Sequence, residues 1–523
     1  MKKLNKLLFI FSLLLSLSIH LRFVINNSLN DFVKNFSFFD LSFIIKTFLL
    51  TIVIYFIINI LFYFIDKIPL KKKVILFNRK KILFIFMIIF INTMIFLLSH
   101  FPAVYLNDSI FLMNYPFDGL NPIIYSMFMS FIFITLKLFV DKTITVFIMS
   151  IIQSIISSII LTYIIYWFHK KINNKILTIV LFCYYAFVPI ISNYNMALIK
   201  DTPFALCMLL LFTLVYEIVE SKGKVLEDRN FRIKLILICV FSSYIRRNGF
   251  IVIIISLVIL FIQYGLHHYR KQFIKVFLLF LVFSSFDFFM LRVCNIKYYA
   301  REKYAIPIQQ VSYLVRYDSD RLSKNDYDFL SKIIKKTKTT VRKDYNEFTV
   351  DGIKYSDKFN IEELNKYEFD FLIFWIKKFP SNISSYVKSY LLTTYDLWAV
   401  NRLVENQSII KSASIKFVGE DMRIKNKVIL PDFIYKGLKS FYGIFDTFLN
   451  PAGCFILLIL SCIYSYNKKR KEIFKISLPL IVLWIVLMLS TPLSSALRYM
   501  SPYLYLLPII VLYSFKVTRE DEL

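Results

Sequence analysis

The chain has 523 residues, 58% of them hydrophobic and only 19% charged, with mean hydropathy +0.61, which excludes a string of soluble domains. Fifty-six Phe and 34 Tyr exceed what soluble cores of this length bury. Sixty-four Lys and Arg against 35 Asp and Glu give a net charge of +29. The basic residues cluster between apolar runs, so they point to cytoplasmic membrane loops and not to nucleic acid.

The residues therefore predict an all-α polytopic membrane protein. Apolar runs long enough to span fall at 7–25, 43–64, 82–99, 143–168, 176–192, 203–219, 233–246, 249–266, 273–292, 452–467, 473–490 and 500–516, about twelve helices (11–13). Lys2-Lys3 ahead of the first run resembles a signal peptide, but no small-residue cleavage site follows, and the run is expected to stay as a helix. With the N-terminus inside, the inner segments hold Lys6, the 67–81 cluster, Lys170, Lys171, Lys175, the 222–234 cluster, Arg270, Lys271, Lys275 and 468–471. The outer short loops then hold only Lys34, Lys200, Arg246, Arg247 and Arg498. This places the protein in a bacterial plasma membrane, multi-pass, with a cytoplasmic N-terminus, and the richness in Ile, Lys, Asn and Phe agrees with an AT-biased bacterial genome.

Four regions follow: 1–81, two N-terminal helices and a basic cytoplasmic loop; 82–292, a transmembrane module with an outer loop at 100–142; 293–450, a polar, Tyr-rich stretch expected to be a mostly helical soluble extracytoplasmic domain; and 451–523, the last helices. The apolar segment 121–140 is expected at the outer interface, because counting it as a span would put 169–175 outside. Within 293–450, Ser323-Lys324-Asn325-Asp326 reads as a helix start. Leu364, Tyr367, Phe371, Phe374 and Trp375 form a helical stripe stopped by Pro380. The six Cys and five His show no metal or redox spacing.

Ionisable residues at a membrane boundary are costly and mark function. Four such places share the outer face: Asp108 and Asp118 in the loop after 82–99, Lys200-Asp201, Arg246-Arg247, and Arg498. Arg forks match phosphate oxygens, so acids early and arginines late suit a phosphorylated ligand. Structural alternatives stand beside this: Asp201 before Thr202-Pro203 and Asp108 before Ser109 would each serve as helix caps, and the arginines would snorkel to lipid headgroups.

On these residues the chain resembles the GT-C class of integral-membrane glycosyltransferases, closest to an uncharacterised bacterial branch of polytopic proteins of that type. Phe101-Pro102 followed by Asn107-Asp108-Ser109 is similar to the "YPG…DS" first outer loop, and Asn121-Pro122-Ile123-Ile124-Tyr125 to the "HPPLY" start. Lys200-Asp201-Thr202-Pro203, Arg246-Arg247-Asn248-Gly249, Arg498-Tyr499-Met500-Ser501-Pro502 and Ile306-Pro307-Ile308-Gln309-Gln310 stand at matching places. Ala103 replaces the usual Gly and Asn121 the usual His, and the first two runs precede the similar part, 82–515. The resemblance implies a polyprenyl-phosphate sugar as donor and a glycan, lipid or protein acceptor outside the cell. It implies transfer by a single inverting displacement, without a defined cofactor but with room for a divalent metal. Asp108 is then the base, with a pKa raised by desolvation and lowered by any nearby cation; Asp201 orients the acceptor or a metal. Arg498, Arg246, Arg247 and Lys200 meet the donor phosphate. A cell-surface polysaccharide polymerase or ligase is chemically close to this. A lipid or polysaccharide transporter is the other alternative, disfavoured by only nine Gly for broken helices.

Overall fold

The computed structural model describes residues 5–67, 77–117, 119, 121–296, 300–400, 427–448, 450–490 and 497–515. Among these the chain is helical, with only isolated bridges between extended residues. Among the described residues seven helices are long and apolar enough to cross a membrane: α1 (Lys6–Asn27), α3 (Leu41–Asp66), α4 (Arg79–Ser99), α7 (Lys142–Ile172), α10 (Asp201–Glu220), α12 with its continuation (Arg247–Leu266) and α13 (Arg270–Val293). Between them lie α2 (Leu29–Lys34), α5 (Asn107–Asn114), α6 (Ile123–Lys137), α8 (Lys175–Phe187), α9 (Pro189–Met196) and α11 (Arg229–Ile245). The pair α8 and α9, bent by 55° at Pro189, brings the number of spans to eight at most.

The expectation of about twelve spans does not hold. The run 233–246 lies in α11, 17 residues with Arg229, Arg232 and Lys234 in its first turns. The run 452–467 is α24 (Pro451–Asn467), also 17 residues, and 473–490 breaks into α25 (Glu472–Ile476) and α26 (Leu478–Ser490) around Ser477. The run 500–516 is α27 (Ser501–Ser514), of 14 residues. At 17 residues or fewer these helices lie at or below the short end of the about 17–25 residues that a membrane span takes. Hydropathy along the chain does not register a break that Pro479 or Pro189 introduces within an apolar run.

Nor does an extracytoplasmic domain distinct from the spans emerge. Between Ala300 and Trp398 the chain forms short helices α14–α22, from Ala300–Lys303 to Tyr395–Trp398, with α15 at Ala305–Tyr317 and α21 at Ile383–Thr393. One cluster, including Leu314, Leu330, Val341 and Leu364, is internal to this region. A second joins its Tyr313, Leu392 and Tyr395 to Leu21, Ile25 and Phe32 of α1 and α2. Lys388, itself buried, donates to the Val33 carbonyl at 2.9 Å, and the Ser18 hydroxyl donates to the Trp398 carbonyl at 2.7 Å. The Trp484 indole donates to Leu397. Part of the apolar surface left by the short helices is thus covered by α1 and α2, so the region shares one of its two clusters with a span. The Ser323–Asp326 capping box forms as expected. The 361–378 stripe is two helices, Ile361–Lys366 and Glu368–Lys378, ending before Pro380. The amphipathic α23 (Asp432–Phe448) follows, and the extended residues before it pair with the loop after α4, the Lys427 amide donating to the Phe101 carbonyl at 2.8 Å.

The largest core cluster packs α4, α7, α10–α13, α24, α26 and α27 together. Pro508 inside α27 removes the amide that would satisfy the Leu504 carbonyl. The Tyr184 hydroxyl donates to that carbonyl at 2.9 Å, and the Tyr185 hydroxyl to the Tyr505 carbonyl at 2.5 Å. A membrane helix tolerates Pro when a neighbour supplies the missing donor in this way.

Candidate functional site

The α11–α12 junction is where the site begins. α11 ends at Ile245 because Arg246 is extended (φ −140°, ψ 130°), and α12 starts at Arg247. Gly249 allows the crossing: a Cβ there would meet the Phe204 ring at 2.7 Å and the Ser242 carbonyl oxygen at 2.8 Å. The break turns the Arg246 side chain into the bundle, where Nη1 lies 2.7 Å from Asp201 Oδ1. Both partners are buried, at 6% and 1% exposure. Apart from this ion pair, neither Asp201 oxygen has a hydrogen-bond partner among the described residues. Asp201 does not cap α10: the N-cap is Lys200, and the Asp201 carboxylate is committed to Arg246.

Asp108 sits in the first turn of α5, whose N-cap is Leu106, so it too is not the capping residue. Its Oδ2 is 3.3 Å from Arg498 Nη1 and 3.8 Å from Lys200 Nζ. The three side chains are 35%, 25% and 16% exposed, reachable where the Asp201–Arg246 pair is not. Burial pushes the Asp108 carboxyl up, but the charges of Arg498, Lys200 and Arg246 outweigh it and hold the group at about 2. Of the two opposing effects expected for this group, desolvation and the pull of nearby cations, the cations prevail.

Tyr499 joins the two ion pairs. Its ring lies 4.7 Å from the Arg246 guanidinium carbon and 4.8 Å from that of Arg498, and its hydroxyl accepts from Arg498 Nη2 at 2.9 Å. Ser501, at the start of α27, donates to the Asp201 carbonyl at 3.0 Å, tying this turn to α10. Five of the six residues expected at the site, Asp108, Lys200, Asp201, Arg246 and Arg498, thus meet. Arg247 goes elsewhere: its Nη1 and Nη2 donate to the Gly119 and Asn121 carbonyls at 3.0 and 3.1 Å, anchoring the α5–α6 loop. Asp118 lies outside the described residues.

Sequence reasoning named no role for three residues that the geometry brings in. Tyr499 follows Arg498 directly in the chain, and its ring and hydroxyl meet both arginines. Asn121, where a His was expected, accepts from Lys200 Nζ at 2.5 Å. Asp287, buried within α13, accepts the Ile124 amide at 3.0 Å and so satisfies the start of α6, which Pro122 cannot cap. An acid inside an apolar run was a visible signal for the last of these.

Each carboxylate already faces cations, and among the described residues no group of three or more His, Cys, Asp or Glu converges.

Residues 118–522 match a family described as a family of unknown function (DUF6020), and the chain belongs to that family. No curated protein and no solved structure matches it.

Proposed function

We propose that this member of the family is a membrane glycosyltransferase of GT-C type, moving a sugar from a polyprenyl-phosphate donor to a glycan, lipid or protein acceptor by a single inverting displacement. The observation that supports it is the part-exposed group Asp108, Lys200 and Arg498, set at helix ends beside an apolar bundle. A lipid phosphate arriving from the bilayer would meet a planar fork and an ammonium there, the donors suited to its oxygens. The sugar's anomeric carbon, carrying positive charge as the phosphate leaves, would lie within reach of a carboxylate able to take the acceptor proton.

In this reading the six residues divide by role. Arg498 and Lys200 bind the donor phosphate, and Asp108 is the base. Asp201 and Arg246, too buried to touch an acceptor, are positioning residues that hold Tyr499 and through it Arg498. Arg247 positions the loop that carries Asn121. The asymmetry of basic residues supports an outward-facing site: Lys171, paired with Glu217 at 3.0 Å and Glu220 at 2.5 Å, marks the end of α10 opposite Asp201.

The test is Asp108→Asn in the purified protein, which keeps the shape and removes the base. With a short-chain polyprenyl-phosphate sugar, transfer should fall by a factor of about 100 to 10,000 while thermal stability holds. Turnover close to wild type would end the assignment of Asp108, and a deletion strain with no accumulating polyprenyl-phosphate sugar would count against the reaction itself.

A further inference from the structure

The two ion pairs of the site differ in kind. Arg246 and Asp201 are 2.7 Å apart and buried, a fixed contact. Arg498 and Lys200 stand 3.3 and 3.8 Å from Asp108, in a place that is partly exposed. In both pairs the nearest carboxylate oxygen is Oδ2. Contacts of that length around accessible groups exchange readily, because water and other anions compete for the same cations. The same two cations are also the ones best placed for the donor phosphate. A carboxylate and a phosphate that draw on one pair of cations must divide them.

We propose that Arg498 and Lys200 are shared between base and leaving group, holding Asp108 ionised before transfer and passing to the phosphate as its second negative charge develops. This rests on the transferase reading and adds to it a coupling between the two ends of the reaction. The charges balance. Before transfer the donor is a phosphodiester with one negative charge, and Asp108 carries another. The acceptor oxygen then forms its bond to the anomeric carbon, and the bond from that carbon to the phosphate oxygen breaks with its electron pair on the phosphate. The acceptor proton passes to Asp108. Afterwards the lipid phosphate is a monoester with two negative charges and Asp108 is neutral, so two negatives face the same two cations throughout. As the phosphate draws the cations away, the carboxylate becomes a stronger base when the proton needs a place to go.

Asp108→Asn imitates the protonated state after transfer. Binding of a short-chain polyprenyl monophosphate, and of its methyl diester as a sugar-free donor analogue, would be measured on the full-length protein in lipid nanodiscs. The variant should bind the monophosphate about tenfold tighter than wild type, and the diester by a smaller factor, since a like charge no longer faces the anion. Asp108→Ser, which removes the same charge with a smaller side chain, should give the same gain. Asp108→Asn combined with Arg498→Gln should lose it. Equal or weaker monophosphate binding in both single variants overturns the sharing and leaves the donor reading standing. Failure of wild type and variants alike to bind either ligand overturns the donor reading, and the sharing with it.

Discussion

Removing either partner of the buried Asp201–Arg246 pair should destabilise the protein, but not equally. The two groups are 2.7 Å apart and 1% and 6% exposed, so a single replacement strands a charge away from water, at a cost of about 3–5 kcal/mol. Arg246 has other support: the Tyr499 ring at 4.7 Å and the Phe204 ring at 5.7 Å. Each such contact contributes about 0.5–2 kcal/mol when desolvated. Asp201 has no such alternative, since neither oxygen has a hydrogen-bond partner among the described residues. Asp201→Asn should therefore fall at the lower end of that range or below it. Arg246→Met, which strands the carboxylate and removes both ring contacts, should lie about 2 kcal/mol above it. The double variant should recover about 2–3 kcal/mol relative to the sum of the singles, because no charge is left unpaired. Unfolding in mixed micelles, followed by Trp fluorescence, would read all four proteins. Additive losses, or an Asp201→Asn loss equal to that of Arg246→Met, would refute the claim that the pair is dry and that Arg246 is independently held.

Arg498→Lys should weaken binding of a short-chain polyprenyl phosphate, because one point charge replaces a fork that also donates to Tyr499; near-wild-type binding in a titration would mean that Arg498 serves only as a headgroup contact. Tyr184→Phe should cost about 1–3 kcal/mol in the same unfolding assay, since the Leu504 carbonyl freed by Pro508 loses its donor. A cysteine placed at Lys170 should resist a membrane-impermeant thiol reagent in intact cells, as the basic-residue asymmetry requires; labelling there would reverse the topology and turn the Asp108 group inward.

The class of molecule was readable from the chain because it depends on summed quantities, apolar content and charge balance, that need no partner. The helical start at Ser323 and the break at Arg246-Arg247 were equally local, set by a cap and by residues within one turn. The span count was not, because a hydropathy run continues across Pro189 and Ser477 while the helix does not. The separate outer domain failed for a related reason. Polar content marks 300–398 as unlike a span, but whether its apolar faces find each other or the faces of α1 and α2 depends on contacts hundreds of residues apart.

The sequence by itself determined that Asp108, Lys200, Asp201, Arg246 and Arg498 lie at helix ends, since each borders an apolar run that can be counted. Only the tertiary structure decided how they divide. Folding brings α5, α10, the α11–α12 junction and the turn before α27 to one place, and there burial separates the pairs. Asp201 is closed off with Arg246 at 2.7 Å, while Asp108 stays partly open between Arg498 and Lys200. It also decided the ionisation of Asp108. In the linear chain its nearest charged neighbour is another acid, Asp118, whereas in the fold Arg498 and Lys200 surround it. Charge acts through space and is shielded by water, so the order of residues along a chain carries neither the distance nor the burial that sets its strength.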